Sequence, residues 1–156
     1  MISFFLIKEY GIEEVVDIRT IPKSRHNPQF NSDNLKAALI KNRIGYKHLK
    51  ELGGLRKADK NSINTFWEND SFRGFADYMQ KNEFREGMTK LLKLSVKKRS
   101  VIMCAEILPW NCHRSLVSDF ITTKNFSVTH IINHNETLEH RINKHAKEYC
   151  DSIIYK

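Results

Sequence analysis

Residues 100–123 read Ser100-Val-Ile-Met-Cys104-Ala-Glu106-Ile-Leu-Pro109-Trp-Asn-Cys112-His113-Arg114-Ser-Leu116-Val117-Ser-Asp-Phe120-Ile121-Thr-Thr123, and the hydrophobic period changes partway along. The first five residues are a short apolar run, the pattern of a buried strand. Residues 105–111 carry proline and polar residues and read as a loop. Over 112–123 the apolar residues Leu116, Val117, Phe120 and Ile121 recur at helical spacing, which predicts a helix. A buried strand feeding a helix through a short loop is half of a parallel βαβ unit.

The same alternation continues in both directions. Residues 3–10 predict a helix that Gly11 ends, and 14–18 (EVVDI) a buried strand. Residues 19–32 hold two prolines among basic residues and read as a loop. Ser32 or Asp33 is placed to cap a helix over 34–42, with Leu35, Ala38 and Leu39 on one face. A strand over 45–49, a Gly-Gly loop over 50–62 and helices over 72–81 and 83–95 follow. Beyond the opening stretch come a strand over 127–132 and a polar helix over 135–148. The expected fold is a three-layer α/β domain, with a mostly parallel sheet of about four strands and helices on both faces. No repeat, low-complexity run or linker divides residues 1–156, so a single domain is expected.

Composition supports a packed domain. The chain has 156 residues, 40% of them hydrophobic, with nine Phe, five Tyr and two Trp to fill a core, which argues against disorder. No stretch has the apolar length of a membrane span, and the N-terminus lacks the features of a signal peptide. Lys and Arg number 26 against 18 Asp and Glu, a net charge of +8 that favours anionic partners. The cysteines, Cys104, Cys112 and Cys150, are odd in number and form no disulfide framework. A cytoplasmic location is therefore expected.

In open parallel sheets ligands bind beyond the carboxyl ends of the strands. Those ends carry Asp17 and Arg19, His48, Cys104 and Glu106, and His130, which should meet on one rim. Cys112 is predicted at a helix N-terminus, where free N–H groups and the dipole favour a thiolate and lower its pKa. Arg114 in the first turn opposes that dipole by about 0.3–1 kcal/mol, so it needs a carboxylate such as Glu106 or Asp17, or an anionic ligand. Arg19, Lys23 and Arg25 offer an anion clamp, with Asn27 turning the chain ahead of Pro28. Bland readings stand beside these. Cys104 ends a core strand and buried thiols are common, His113 has packing uses, and Glu106 with Arg114 makes a structural ion pair as readily as a site. Zinc spacing is absent, and no metal or cofactor is implied.

Together these segments resemble the bacterial and archaeal family catalogued as domain of unknown function 488. Its pattern reads here as Asp17-Ile-Arg19, Pro22-Lys-Ser24-Arg25-His-Asn27-Pro28-Gln-Phe30, Ile44-Gly-Tyr46-Lys-His48 to Leu52-Gly53-Gly54, Cys104 to Arg114, and Val128-Thr-His130-Ile131. The resemblance spans about residues 3–133. It implies an α/β fold and one shared site, and names no reaction. Members usually open with a strand ending in Gly-His-Ser; this chain starts at Met1-Ile2-Ser3, inside that motif, so the strand and its histidine are expected to be missing. An open sheet edge of that kind favours pairing between chains.

The expected function is an enzyme-like pocket for a small anionic or nucleotide-like ligand. Arg19, Arg25 and Arg114, with Asp17 and Asn27, would bind it. Cys104 or Cys112 would be the nucleophile or redox thiol, with Glu106, His113 and His48 as proton carriers. The alternatives are a nucleic-acid-binding module, which would use the Arg/Lys-rich loop and Lys97-Lys98-Arg99, and a ligand-sensing domain without chemistry.

Overall fold

A computed structural model describes residues 3–156; Met1 and Ile2, on which the reading of the chain's opening partly rests, lie outside the described residues. The fold is mixed α/β. Among the described residues it has five α-helices, one three-stranded parallel sheet and two antiparallel hairpins. The chain divides into two compact units, Met1–Gly53 with Gly87–Ala105, and Gly54–Glu86 with Glu106–Lys156.

The first unit holds α1 (Phe4–Glu9), β1 (Glu14–Asp17), α2 (Ser32–Lys41), β2 (Gly45–His48) and β3 (Ser100–Met103). β1 is central, parallel to β2 on one side and β3 on the other. Neighbouring residues in a strand face opposite ways. Val15 and Val16 are both fully buried, so the sheet is covered on both faces at this point, as parallel strands require. Ile7 of α1 and Leu35 and Leu39 of α2 join Ile12, Val15, Ile44 and Met103 in one core cluster.

Helix ends explain the chain's turns. The Ser3 hydroxyl caps α1 by accepting from Leu6 N at 3.3 Å. At the other end Gly11 has φ +62°, Gly11 N donates to Lys8 O and Ile12 N to Ile7 O. That pair of bonds is a Schellman closure, with glycine at the left-handed position as expected. α2 ends the same way with Arg43 at φ 61°, a residue type that gave no such signal. The N-cap of α2 is Asn31, one residue before Ser32 and Asp33, and its side chain is turned to Ser24 N instead.

The second unit holds α3 (Asp70–Tyr78), α5 (Arg114–Thr123) and the hairpins β4–β5 (Thr129–Asn133, Glu136–Glu139) and β6–β7 (Ala146–Tyr149, Ser152–Tyr155). α4 (Asn82–Lys97) begins in this unit and continues into the first. Its Phe84 meets Phe75 of α3 and Phe120 of α5 edge-on, with ring centroids 5.9 and 5.3 Å apart. β7 is buried along its whole length.

Three expectations are corrected here. The parallel sheet has three strands, not about four, because β4 pairs antiparallel with β5. His130 therefore does not stand at the end of a parallel strand. Residues 135–148 form no helix but contain β5 and the start of β6. Asn133 Oδ1 accepts from Asn135 N, and Asn143 Oδ1 from His145 N, both at 2.9 Å. Such Asx turns compete with helix formation, and the polar composition concealed them. Finally, α5 starts at Arg114, with His113 at its N-cap position, so Cys112 lies in extended backbone just before it.

Candidate functional site

In the first unit the carboxyl ends of the three strands are level, since Asp17 pairs with His48 on one side and Met103 on the other. Asp17 is fully buried and Arg19 nearly so. Two residues apart, they point the same way, and the guanidinium meets the carboxylate with Nε–Oδ1 2.9 Å and Nη2–Oδ2 2.6 Å. Tyr46 Oη donates to Asp17 Oδ2 at 2.8 Å. The opposite side of Arg19 straps the proline-rich loop, with Nη2 donating to Phe30 O at 2.9 Å. His48 Nε2 lies 2.7 Å from Arg19 O. Burial alone would lower the Arg19 guanidinium, but Asp17 more than offsets it and the pKa is raised. Burial, then donation to Asp17, pushes the Tyr46 phenol well above its ordinary range.

Of the other predicted residues of this unit, Arg25 and Asn27 are exposed on the loop, where Asn27 N donates to Ser24 Oγ at 3.0 Å. Cys104 is buried immediately after β3. No disulfide joins cysteines among the described residues.

In the second unit the backbone bends at buried Pro109 and reaches α5 through Cys112. Cys112 Sγ accepts from Arg114 N at 3.4 Å and lies 3.6 Å from His113 Nδ1. The sulfur thus takes the place of an N-cap oxygen, next to an imidazole. His113 is held between Phe75, 4.8 Å away by ring centroids, and the backbone of Gly54. A Cβ at Gly54 would come within 2.3 Å of His113 Nδ1, so glycine there permits the approach. Arg114 Nη2 donates to Ile107 O at 2.9 Å, while its Nε is buried without an acceptor. Glu106 is exposed, so a backbone carbonyl rather than this carboxylate steadies Arg114.

Asp119, His140 and Tyr155 were not singled out in the sequence. Asp119 is almost fully buried on α5, accepting from His140 Nε2 at 2.8 Å, Asn143 N at 3.0 Å and Tyr155 Oη at 2.9 Å. His140 Nδ1 is 2.9 Å from Nε2 of buried His130. Burial, with the charges of His140 and Arg114, pushes His130 down to about 4. Burial and Asp119 push the Tyr155 hydroxyl up. The sequence carried little signal for Asp119: by helical period it lies off the stripe of Leu116, Val117, Phe120 and Ile121, and its burial comes from α5 being covered around 116–121.

A cleft of about 430 Å³ also opens in this unit, lined by Arg56, Lys57, Lys60 and Arg73 with Asp59 and Asp70. Arg56 lies 3.6 Å above the Tyr78 ring.

The class is thus a basic mixed α/β protein whose polar groups gather at strand and helix ends. The chain belongs to the family described as domain of unknown function DUF488, whose pattern matches residues 2–121. Comparison with curated proteins found no match, and comparison with solved structures found none either. No helix of the described residues is long and apolar enough to cross a membrane.

Proposed function

We propose that this protein is an enzyme of thiol chemistry acting on a small anionic, nucleotide-like substrate, with Cys112 as the nucleophile. One observation carries the reading: Cys112 Sγ accepts a backbone N–H at the start of α5 and has an imidazole nitrogen at 3.6 Å. A helix N-terminus stabilises a sulfur anion, and an adjacent imidazole takes its proton. Arg114, whose buried Nε lacks an acceptor, holds the anionic group of the substrate. Within the first unit, taken by itself, Arg25 and Asn27 are exposed on a loop strapped down by Arg19 and are candidate anion contacts there. Asp17 and His48 position Arg19 and its backbone, and Cys104 and Glu106 are reserve candidates for thiol and proton-transfer roles.

The test is alkylation against pH in a Cys104→Ser, Cys150→Ser background, with iodoacetamide and iodoacetate compared. Cys112 should titrate well below the ordinary thiol value of about 8.5. Iodoacetate, an anion, should gain at least about tenfold over iodoacetamide relative to a free thiol, and Arg114→Met should abolish that gain. A folded protein whose Cys112 is inert, or titrates at the ordinary value, sinks the reading.

The cleft of Arg56, Lys57, Lys60 and Arg73 favours a second reading, nucleic-acid binding. Such binding should weaken steeply with salt and be lost in Lys57→Ala/Lys60→Ala. Phosphate-independent binding would reject it.

A further inference from the structure

The second unit contains a line of three polar side chains in a buried setting. Asp119 is an acceptor for Asn143 N and for the Tyr155 hydroxyl, so the proton between Asp119 and His140 belongs to His140 Nε2. With that nitrogen protonated, Nδ1 of a neutral His140 is a lone pair, and the bond of 2.9 Å to His130 requires a proton on His130 Nε2. His130 Nδ1 is then the remaining open nitrogen of the chain.

Burial, His140 and Arg114 disfavour a cation at His130, with Asp119 working the other way, while Asp119 touches His140 directly at 2.8 Å. The charged and titratable groups around the pair are Arg114 and Asp119 from α5, with Tyr155 of β7 bonded to Asp119.

We propose that Asp119, His140 and His130 form a proton relay whose working end is Nδ1 of His130. A proton accepted there is matched by transfer of the Nε2 proton to His140 Nδ1. His130 stays neutral with its tautomer reversed, and the positive charge rests on His140 beside Asp119. Protons balance at every step, and release runs in reverse. A relay whose outer histidine feels Arg114 supplies a general base to the site at the start of α5; that use rests on the proposed function, whereas the relay itself does not.

Two-bond ¹H–¹⁵N correlation spectra of the full chain with ¹⁵N-histidine read tautomer and charge directly. At pH 8 both rings should carry their proton on Nε2. On acidification His140 should become the imidazolium first, while His130 changes to the Nδ1–H form. A His130 that starts as Nδ1–H, or charges before His140, overturns the relay. These readings need no variant, so a misfolded Asp119→Asn would not obscure them. If Asp119→Asn folds, the change of His130 to the Nδ1–H form on acidification should be lost; unchanged spectra count against the relay. Inert Cys112 with these spectra intact would reject the thiol reading alone.

Discussion

Arg19 holds Asp17 through two parallel hydrogen bonds, Nε–Oδ1 at 2.9 Å and Nη2–Oδ2 at 2.6 Å, at the end of the central strand. The pair spans only two residues of sequence, yet it joins three parts of the first unit. The carboxylate also receives Tyr46 from β2, and the guanidinium also holds the loop at Phe30.

Removing one partner of this pair should cost more than the pair itself contributes, because a buried charge is left unmatched. Asp17→Asn should lower unfolding free energy by about 3–5 kcal/mol in urea titrations. Arg19→Lys should recover little stability relative to Arg19→Met, since an ammonium cannot reproduce the two-point grip. Equal stability of wild type and Asp17→Asn would refute this account.

Gly54→Ala tests how closely His113 is positioned. The new Cβ would meet His113 Nδ1 at 2.3 Å, so the ring must move off Cys112 or the protein must open locally. Alkylation of Cys112 should lose its low-pH reactivity and follow the ordinary thiol value of about 8.5, while far-UV circular dichroism stays unchanged. Retained low-pH reactivity would show that His113 is not what activates the thiol.

His130 should make the protein acid-sensitive. Its folded value is lowered to about 4 from the ordinary 6.5, so the unfolded chain binds a proton that the fold refuses. The resulting stability is complete above pH 6.5 and is lost as pH falls toward 4. The loss should amount to about 3 kcal/mol, and His130→Asn should flatten this limb of a stability–pH curve. An unchanged slope in the variant would place the acid sensitivity elsewhere.

Tyr155 acts at the other extreme. Its hydroxyl is buried and donates to Asp119, which raises its pKa. Unfolded tyrosine loses its proton near pH 10 while folded Tyr155 keeps it, so stability is complete below pH 10 and declines above. Tyr155→Phe should cost about 1–3 kcal/mol at pH 7 by leaving Asp119 short of a donor, and should also shallow the alkaline decline. A decline of unchanged steepness would assign it to other tyrosines.

Helix ends supply a pair of opposite expectations. Gly11→Ala forces a Cβ into a φ of +62° with open space around it; it should destabilise by about 1 kcal/mol. Arg43→Gly relieves the same strain at φ 61° and should stabilise by up to about 1 kcal/mol. Thermal melts of the two variants moving in the same direction would contradict the shared geometry.

Some of this protein was readable from sequence because local rules determine it. Residues 14–18, Glu-Val-Val-Asp-Ile, hold three β-branched apolar residues in a stretch too short for a helix, and Glu14–Asp17 is a buried strand. Gly11 announced the end of α1 because only glycine takes the left-handed position without strain. Cys112-His113-Arg114 at the start of a helix was legible within two residues, since an apolar period of 3.6 begins there. The family assignment followed from motifs spread over most of the chain.

Other features were decided only by tertiary structure. β4 carries an ordinary strand pattern, and nothing local distinguishes a fourth parallel strand from one arm of a hairpin; the partner β5 makes the difference. Residues 135–148 lack the apolar period of any element, because β5 is exposed along its length and its hydrogen bonds go to β4. Arg43 closes α2 in a conformation its side chain does not favour, held there by the packing of Leu39 and Ile44 in the core. The Asp119–His140–His130 line joins residues up to 21 positions apart, and no spacing rule brings them together. Sequence determines what each segment prefers, through sterics and hydrophobic period. Which buried carboxylate meets which imidazole is a property of the packed chain, where unpaired polar groups are too costly to leave alone.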